Sequence, residues 1–144
     1  MRGHVLRLRG LSPRSRWCDK DLVMLHACFQ LLVDFLAQEK PQKIVDYTHD
    51  RRHREAWKEL QALYRYWQVE RPRAEREKER ALKRWSDSYK HEWVPATDGH
   101  GSTLRILHED KRASARLRKL DAGFDRRESE MLRRLIAIRE HLWC

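Results

Sequence analysis

From Leu22 to Leu36 the chain is apolar almost without interruption: Leu-Val-Met-Leu-His-Ala-Cys-Phe-Gln-Leu-Leu-Val-Asp-Phe-Leu. That pattern predicts a helix over 20–39, buried nearly all round and therefore central. Asp19 stands where an N-cap belongs, and Lys40-Pro41 ends the run. The polar exceptions, His26, Gln30 and Asp34, are four apart and form one stripe. Such a stripe is either a buried polar network or ligand-facing line, or the one solvent edge of the helix with Gln38 continuing it. The solvent edge is the preferred reading.

Residues 42–50 read as a connector. A second helix over 51–70 places Trp57, Leu60, Leu63, Tyr64 and Trp67 on one face and Lys58, Glu59 and Arg65 on the other. This aromatic, basic-flanked helix is the clearest hint of a partner surface, although aromatic residues on such a stripe are more often core. Pro72 is expected to stop it, making Arg71-Pro72-Arg73 a break with a basic corner. A third helix over 73–90 alternates charge and has few apolar positions (Leu82, Trp85, Tyr89), which predicts an exposed helix with one seam on the core.

Residues 94–103, with two glycines and a proline, read as a flexible loop. A long helical pattern follows over 104–142. In it Leu117, Phe124, Met131 and Ile138 recur every seven residues, and Leu135 and Leu142 fill d-like positions. Gly123 marks a turn or a kink. Asp121 and Glu128 occupy the earlier d-like positions, so the seam is assigned to packing within one bundle, with a homo-oligomer through this helix as the alternative. At the other end, residues 4–9 alternate apolar and basic, as a short edge strand or extended arm would. No internal repeat is present.

The fold class expected is mainly α: one helical domain over 1–144, with a basic arm or strand (1–18), core helices (19–90), a loop (91–103) and a C-terminal helical segment (104–144). Four or five helices would pack on the 20–39 helix, with Trp17, Trp57, Trp67 and Trp143 as core anchors.

Composition adds a partner class. The formal net charge is +10, and charged residues make up 38% of the chain, against an ordinary share of about 25%. That balance favours nucleic acid, an anionic surface or an acidic protein. The 22 acids are mixed among the 32 bases, so no pure basic block stands out. No hydrophobic stretch is read as reaching the roughly 18 residues that span a bilayer, and no membrane partner is expected. The first eighteen residues are Arg-rich and lack acids, as a mitochondrial presequence does, but Gly3, Gly10 and Pro13 argue for an arm instead of a targeting helix. Cys18, Cys28 and Cys144 are odd in number and widely spaced, which predicts reduced thiols in a cytosolic compartment.

Catalytic patterns are absent from the sequence. His49 and His53 have ligand-pair spacing, but Arg51 and Arg52 lie between them and repel a cation. His100, Cys18 and Cys28 form no ligand motif. Ser12, Ser15 and Ser102 sit in no nucleophile elbow. Asp98-Gly-His-Gly-Ser-Thr103 lacks the lysine of a P-loop and reads as a plain loop with a helix cap. Glu75, Glu77, Glu79, Glu128 and Glu130 read as solvated faces. No metal or cofactor is expected, and no enzymatic activity. Nucleic-acid contact survives, through basic clusters at Arg2, Arg7, Arg9, Arg14 and Arg16, at Arg51, Arg52 and Arg54, at Arg71, Arg73 and Arg76, at Lys83 and Arg84, and across Lys111–Lys119.

Three blocks resemble a family of tailed-bacteriophage proteins of unassigned activity. They are Ser12-Pro-Arg-Ser-Arg-Trp17 with Asp19, Asp21 and Met24–Phe35; Glu59-Leu-x-x-Leu-Tyr-x-x-Trp67 followed by Arg71-Pro72; and Met131-Leu-x-Arg-Leu-Ile-x-Ile-Arg139 with Leu142-Trp143. The resemblance covers most of the chain, with a compact segment between residues 38 and 57. It implies a phage origin, hence the bacterial host cytoplasm or the virion, and transfers no catalytic residues. The functions it leaves in play are an accessory protein touching nucleic acid or a nucleoprotein, a virion or assembly component, and an inhibitor docking on a host protein.

Overall fold

The computed structural model describes residues 6–11 and 19–142. The expectations for residues 4 and 5, a break at Ser12-Pro13-Arg14-Ser15, Trp17 and Trp143 lie outside them. The protein is mainly α. In chain order it has α1 (Lys20–Asp34) extended by a π-helical turn (Phe35–Glu39), a 3-10 turn (Pro41–Lys43), α2 (Arg51–Arg65) with a second π turn (Tyr66–Glu70), and α3 (Arg71–Ser88). An antiparallel hairpin of β1 (Lys90–Pro95) and β2 (Ser102–His108) precedes the long α4 (Lys111–Ala137) and a final 3-10 turn (Arg139–His141). Leu6–Leu11 forms no strand. The chain forms two compact units: Met1–Arg71 with Glu128–Cys144, and Pro72–Arg127.

The first unit holds the core. α1 contributes Leu25, Phe29, Leu32 and Phe35, α2 and its π turn contribute Leu60, Leu63 and Tyr66, and α4 contributes Met131 and Leu135. Trp67 stacks on Phe29 with centroids 4.5 Å apart. Trp57 stacks on Tyr47 at 4.6 Å, so the connector's one buried aromatic is pinned to α2. By length and mean hydropathy (1.3) the run Lys20–Lys43 does meet the measure of a membrane-crossing helix, a correction to the sequence reading. Here Leu25, Phe29, Leu32 and Phe35 of this run lie in the core of the first unit.

α1 departs from the preferred reading of its stripe. His26, Gln30 and Asp34 are buried, while Met24 and Leu31 face solvent. Gln30 Nε2 donates to Asp34 Oδ1 at 2.8 Å. His26 meets Trp67 edge-on at 4.9 Å and its Nδ1 lies 3.3 Å from the Arg9 carbonyl oxygen. The buried network is therefore the correct alternative. Desolvating these polar groups is tolerable because each has a partner inside.

Pro72 does not stop the second helix. The preceding turn widens, and the Arg71 N–H donates to Tyr66 five residues back. A π turn offsets both defects of a helical proline, its missing N–H and its clash with the carbonyl four residues earlier. Arg71-Pro72-Arg73 thus lies in continuous helix.

In the second unit, α3 and the first part of α4 run antiparallel. Lys78 pairs with Asp121 at 2.9 Å and Arg116 with Glu77 at 3.2 Å. Trp85 Nε1 donates to Glu109 at 3.1 Å. The expected loop is only the tip of the hairpin: Gly99 and Gly101 have φ of 77° and 81°, and His100 N–H donates to Asp98. Ser102 opens a strand instead of capping a helix, and α4 begins at Lys111, capped by the Asp110 carboxylate, which accepts from the Arg112 and Ala113 amides. Gly123 sits inside an uninterrupted helix.

Candidate nucleic-acid interface

The structure sorts the predicted basic residues into three groups. Arg14 and Arg16 lie outside the described residues. A second group is already engaged. Arg71 is only 7% exposed, lies over the Trp67 ring at 4.9 Å and pairs with Glu128 at 2.5 Å. Its guanidinium is committed inside the first unit, and Glu128 is its partner and not a solvated carboxylate. Arg51 binds Glu55 at 2.6 Å, Arg52 binds Glu140 at 2.6 Å, and Arg54 donates to the Thr48 carbonyl at 3.0 Å. Lys83 pairs with Asp87 at 2.7 Å. Exposed pairs such as these hold their cations weakly. Arg7 and Arg9 are exposed but belong to no basic cluster among the described residues.

The third group forms a site. In the second unit a groove of about 430 Å³ is lined by Arg73, Glu77, Arg80, Ala81, Arg84, Ala113 and Arg116. Arg73, Arg80 and Arg84 lie seven and eleven positions apart on α3, so they share one helix face. Arg80 and Arg84 are one turn apart, about 6 Å along the axis. Ala81 and Ala113 are buried and form the floor. Their small side chains leave room above them between the two helices. Arg116 closes the far wall from α4 and is held by Glu77, the sole acid in the lining. Arg76 is exposed on α3 but does not line the groove, and Lys83 also points elsewhere.

Such a groove is chemically an anion cradle. Guanidinium groups stay charged at any physiological pH and offer forked donors that suit phosphate oxygens. No aromatic side chain lines it, so it has no platform on which to stack bases. Trp57 and Trp67, expected as core anchors, stack on Tyr47 and Phe29. The sequence reading missed Arg80. The available signal was the helical stripe 73/80/84, which a search for consecutive basic clusters passes over.

The other candidate chemistries resolve locally. His49 and His53 meet edge-on at 5.9 Å, but His53 Nδ1 is 2.9 Å from Asp50, whose carboxylate also accepts the His53 amide and caps α2. Those hydrogen bonds hold the Asp50 carboxyl at about 2. Among the described residues no three His, Cys, Asp or Glu side chains gather as a metal site. Burial pushes the Cys28 thiol up, as for a small half-buried hydrophobe.

No family model matches the chain, and no curated protein and no solved structure matches it. The phage-family resemblance rests on the residue blocks alone. Within the described residues, its α1, α2 and α4 blocks carry the apolar residues of the first unit's core. The arginine groove lies in the second unit, whose residues those blocks touch only at Pro72.

Proposed function

We propose that this is a non-enzymatic accessory protein of phage type that grips the phosphate backbone of nucleic acid in the α3–α4 groove of its second unit. The observation that carries this reading is the convergence of Arg73, Arg80, Arg84 and Arg116 on one groove with a single acid among them. Arg73, Arg80 and Arg84 have no carboxylate partner among the described residues, so they can exchange water and counterions for phosphate without first breaking an ion pair. Arg112 and Lys119 lie one turn either side of Arg116 on α4 and extend the same positive character. Binding of this kind is driven by counterion release and reads the backbone, not the bases. It steers the chain to any polyanion of suitable width, consistent with a net charge of +10.

The test is fluorescence anisotropy with short single- and double-stranded DNA and RNA at two salt concentrations. Affinity that falls steeply with salt, and that is lost in Arg73→Ala/Arg80→Ala/Arg84→Ala but kept in Arg51→Ala/Arg52→Ala/Arg54→Ala, supports the groove. A flat salt response, or loss only in the second variant, refutes it. One observation favours a second reading, an assembly component held by protein–protein contacts: the hairpin of the second unit exposes large apolar side chains, including Trp93 at 66%.

A further inference from the structure

The hairpin is the part of the chain least explained by its own packing. All seven residues of β2 are exposed, and Leu104, Ile106 and Leu107 are 44%, 54% and 57% exposed. Trp93 pairs with Leu104 and His91 with Ile106, so Trp93, Leu104 and Ile106 share one face, and Leu107 lies on the other. A two-stranded hairpin is marginal in water, and independent stability normally takes a third strand or a covering helix. Here the base is tied to the helices through the ring series Trp85–Tyr89–His91 at 4.8 and 5.3 Å.

The two edges are not alike. The β1 edge carries the usual guards against further pairing: Lys90, Glu92, Pro95 and an irregular register between Lys90 and His91. The β2 edge, Ser-Thr-Leu-Arg-Ile-Leu-His, has no proline and a single charge. That charge, Arg105, is already paired with Glu92 across the hairpin. Its remaining residues are mostly β-branched or apolar and favour an extended, paired backbone.

We propose that β2 pairs antiparallel with β2 of a second copy of this chain, giving a four-stranded sheet across a two-fold axis. Charge selects a second copy over other partners. Between Lys90 and His108 the bases Lys90 and Arg105 balance the acids Glu92 and Asp98. On a chain of net charge +10 the hairpin is therefore neutral. It offers nothing for an acidic or basic partner to read, while two basic molecules can approach each other there without repulsion. The symmetry is compatible as well. A two-fold axis centred on Leu104 or Ile106 sets identical apolar side chains opposite each other and keeps the two Arg105 side chains off one another. The pairing stands independently of nucleic-acid binding, although a dimer would present two arginine grooves and gain avidity on a long polyanion.

Sedimentation equilibrium of the full chain tests this, in reducing buffer, at high salt and after nuclease treatment, over a range of concentrations. The expected result is a reversible monomer–dimer equilibrium. Leu104→Lys/Ile106→Lys should weaken it by about 100-fold, and Leu82→Lys, on exposed α3, should leave it unchanged. Amide hydrogen exchange on the unaltered chain guards against a misfolded variant: outward β2 amides should gain protection as concentration rises. A chain monomeric at its highest soluble concentration overturns the proposal. So does a dimer that survives the lysine pair, or one whose β2 amides exchange at the monomer rate.

Discussion

Arg71 and Glu128 form a buried ion pair, Nε to Oε2 at 2.5 Å, with side-chain exposures of 7% and 18%. The pair joins the start of α3 to α4, and Trp67 lies against the guanidinium. In the sequence Arg71 was grouped with Arg73 and Arg76 as a phosphate contact. Arg71 is buried, whereas Arg73, two positions on, and Arg76 are exposed. Removing either partner takes this ion pair from a charge that is largely buried. Arg71→Ala and Glu128→Ala should each destabilise the first unit by about 3 kcal/mol, read as a lower urea midpoint. Replacing both together with Met and Leu should cost less than either single change, because no lone charge remains. If Arg71→Ala instead weakens nucleic-acid binding and leaves the midpoint unmoved, the assignment is wrong.

For the groove, the quantity to measure is the slope of log affinity against log salt. Each arginine that neutralises a phosphate contributes about one unit to that slope. Arg80→Ala should lower it by about one, and the Arg73/Arg80/Arg84 triple by about three. Arg76→Ala, on the same helix but outside the lining, should leave it near the wild-type value. Equal losses at Arg76 and Arg80 would mean that diffuse charge, not the groove, carries binding.

How much of this was legible in the sequence depended on how local the cause was. The bounds of the first helix, 20–39, and the start of the second at Arg51 were read correctly because periodicity and Lys40-Pro41 act within a turn or two. Three features were not. A helix apolar nearly all round gives no vector to say which side faces water, so the His26/Gln30/Asp34 stripe was placed outward. Pro72 looks like a stop unless the π turn before it is known. Ser102 and Thr103 were absorbed into the loop and Leu104–His108 into the following helical pattern, because a strand exposed on both faces shows no alternation to mark it. The groove depends on how α3 and α4 meet, and the sequence reading brought those two helices together only loosely.

Acid should loosen the start of α2. The Asp50 carboxylate accepts the His53 amide at 2.8 Å, and with the His53 side chain this holds its carboxyl at about 2, below the ordinary aspartate value. A depressed carboxylate stabilises the fold above its unfolded value near 4 and loses that contribution as pH falls toward about 2. Between pH 4 and pH 2 the first turn of α2 should therefore fray, seen as faster amide exchange at His53 and Arg54. Asp50→Asn keeps an accepting oxygen but cannot titrate, so in that variant exchange at these amides should lose its opening step in this window. Glu59, held below the usual range by Arg134, adds the same sign of dependence on α2. A titration of Asp50 centred near its ordinary value would contradict the capping geometry.

The inverted polarity of α1 gives the sharpest stability test, because the two readings of its stripe differ in sign. Gln30 is 4% exposed and donates to Asp34, itself 7% exposed. On a solvent edge Gln30→Leu would be neutral. In the interior it removes a donor from a buried carboxylate, and the lost hydrogen bond should cost about 1–3 kcal/mol even though leucine is the more apolar residue. Met24 and Leu31, 54% and 43% exposed, give the converse. Met24→Gln and Leu31→Gln put polar groups into water and should change stability by no more than about 0.5 kcal/mol. Urea denaturation of these three variants decides the orientation of the helix. A neutral Gln30→Leu beside a costly Leu31→Gln would turn α1 over and with it the first unit's packing around Phe29 and Trp67.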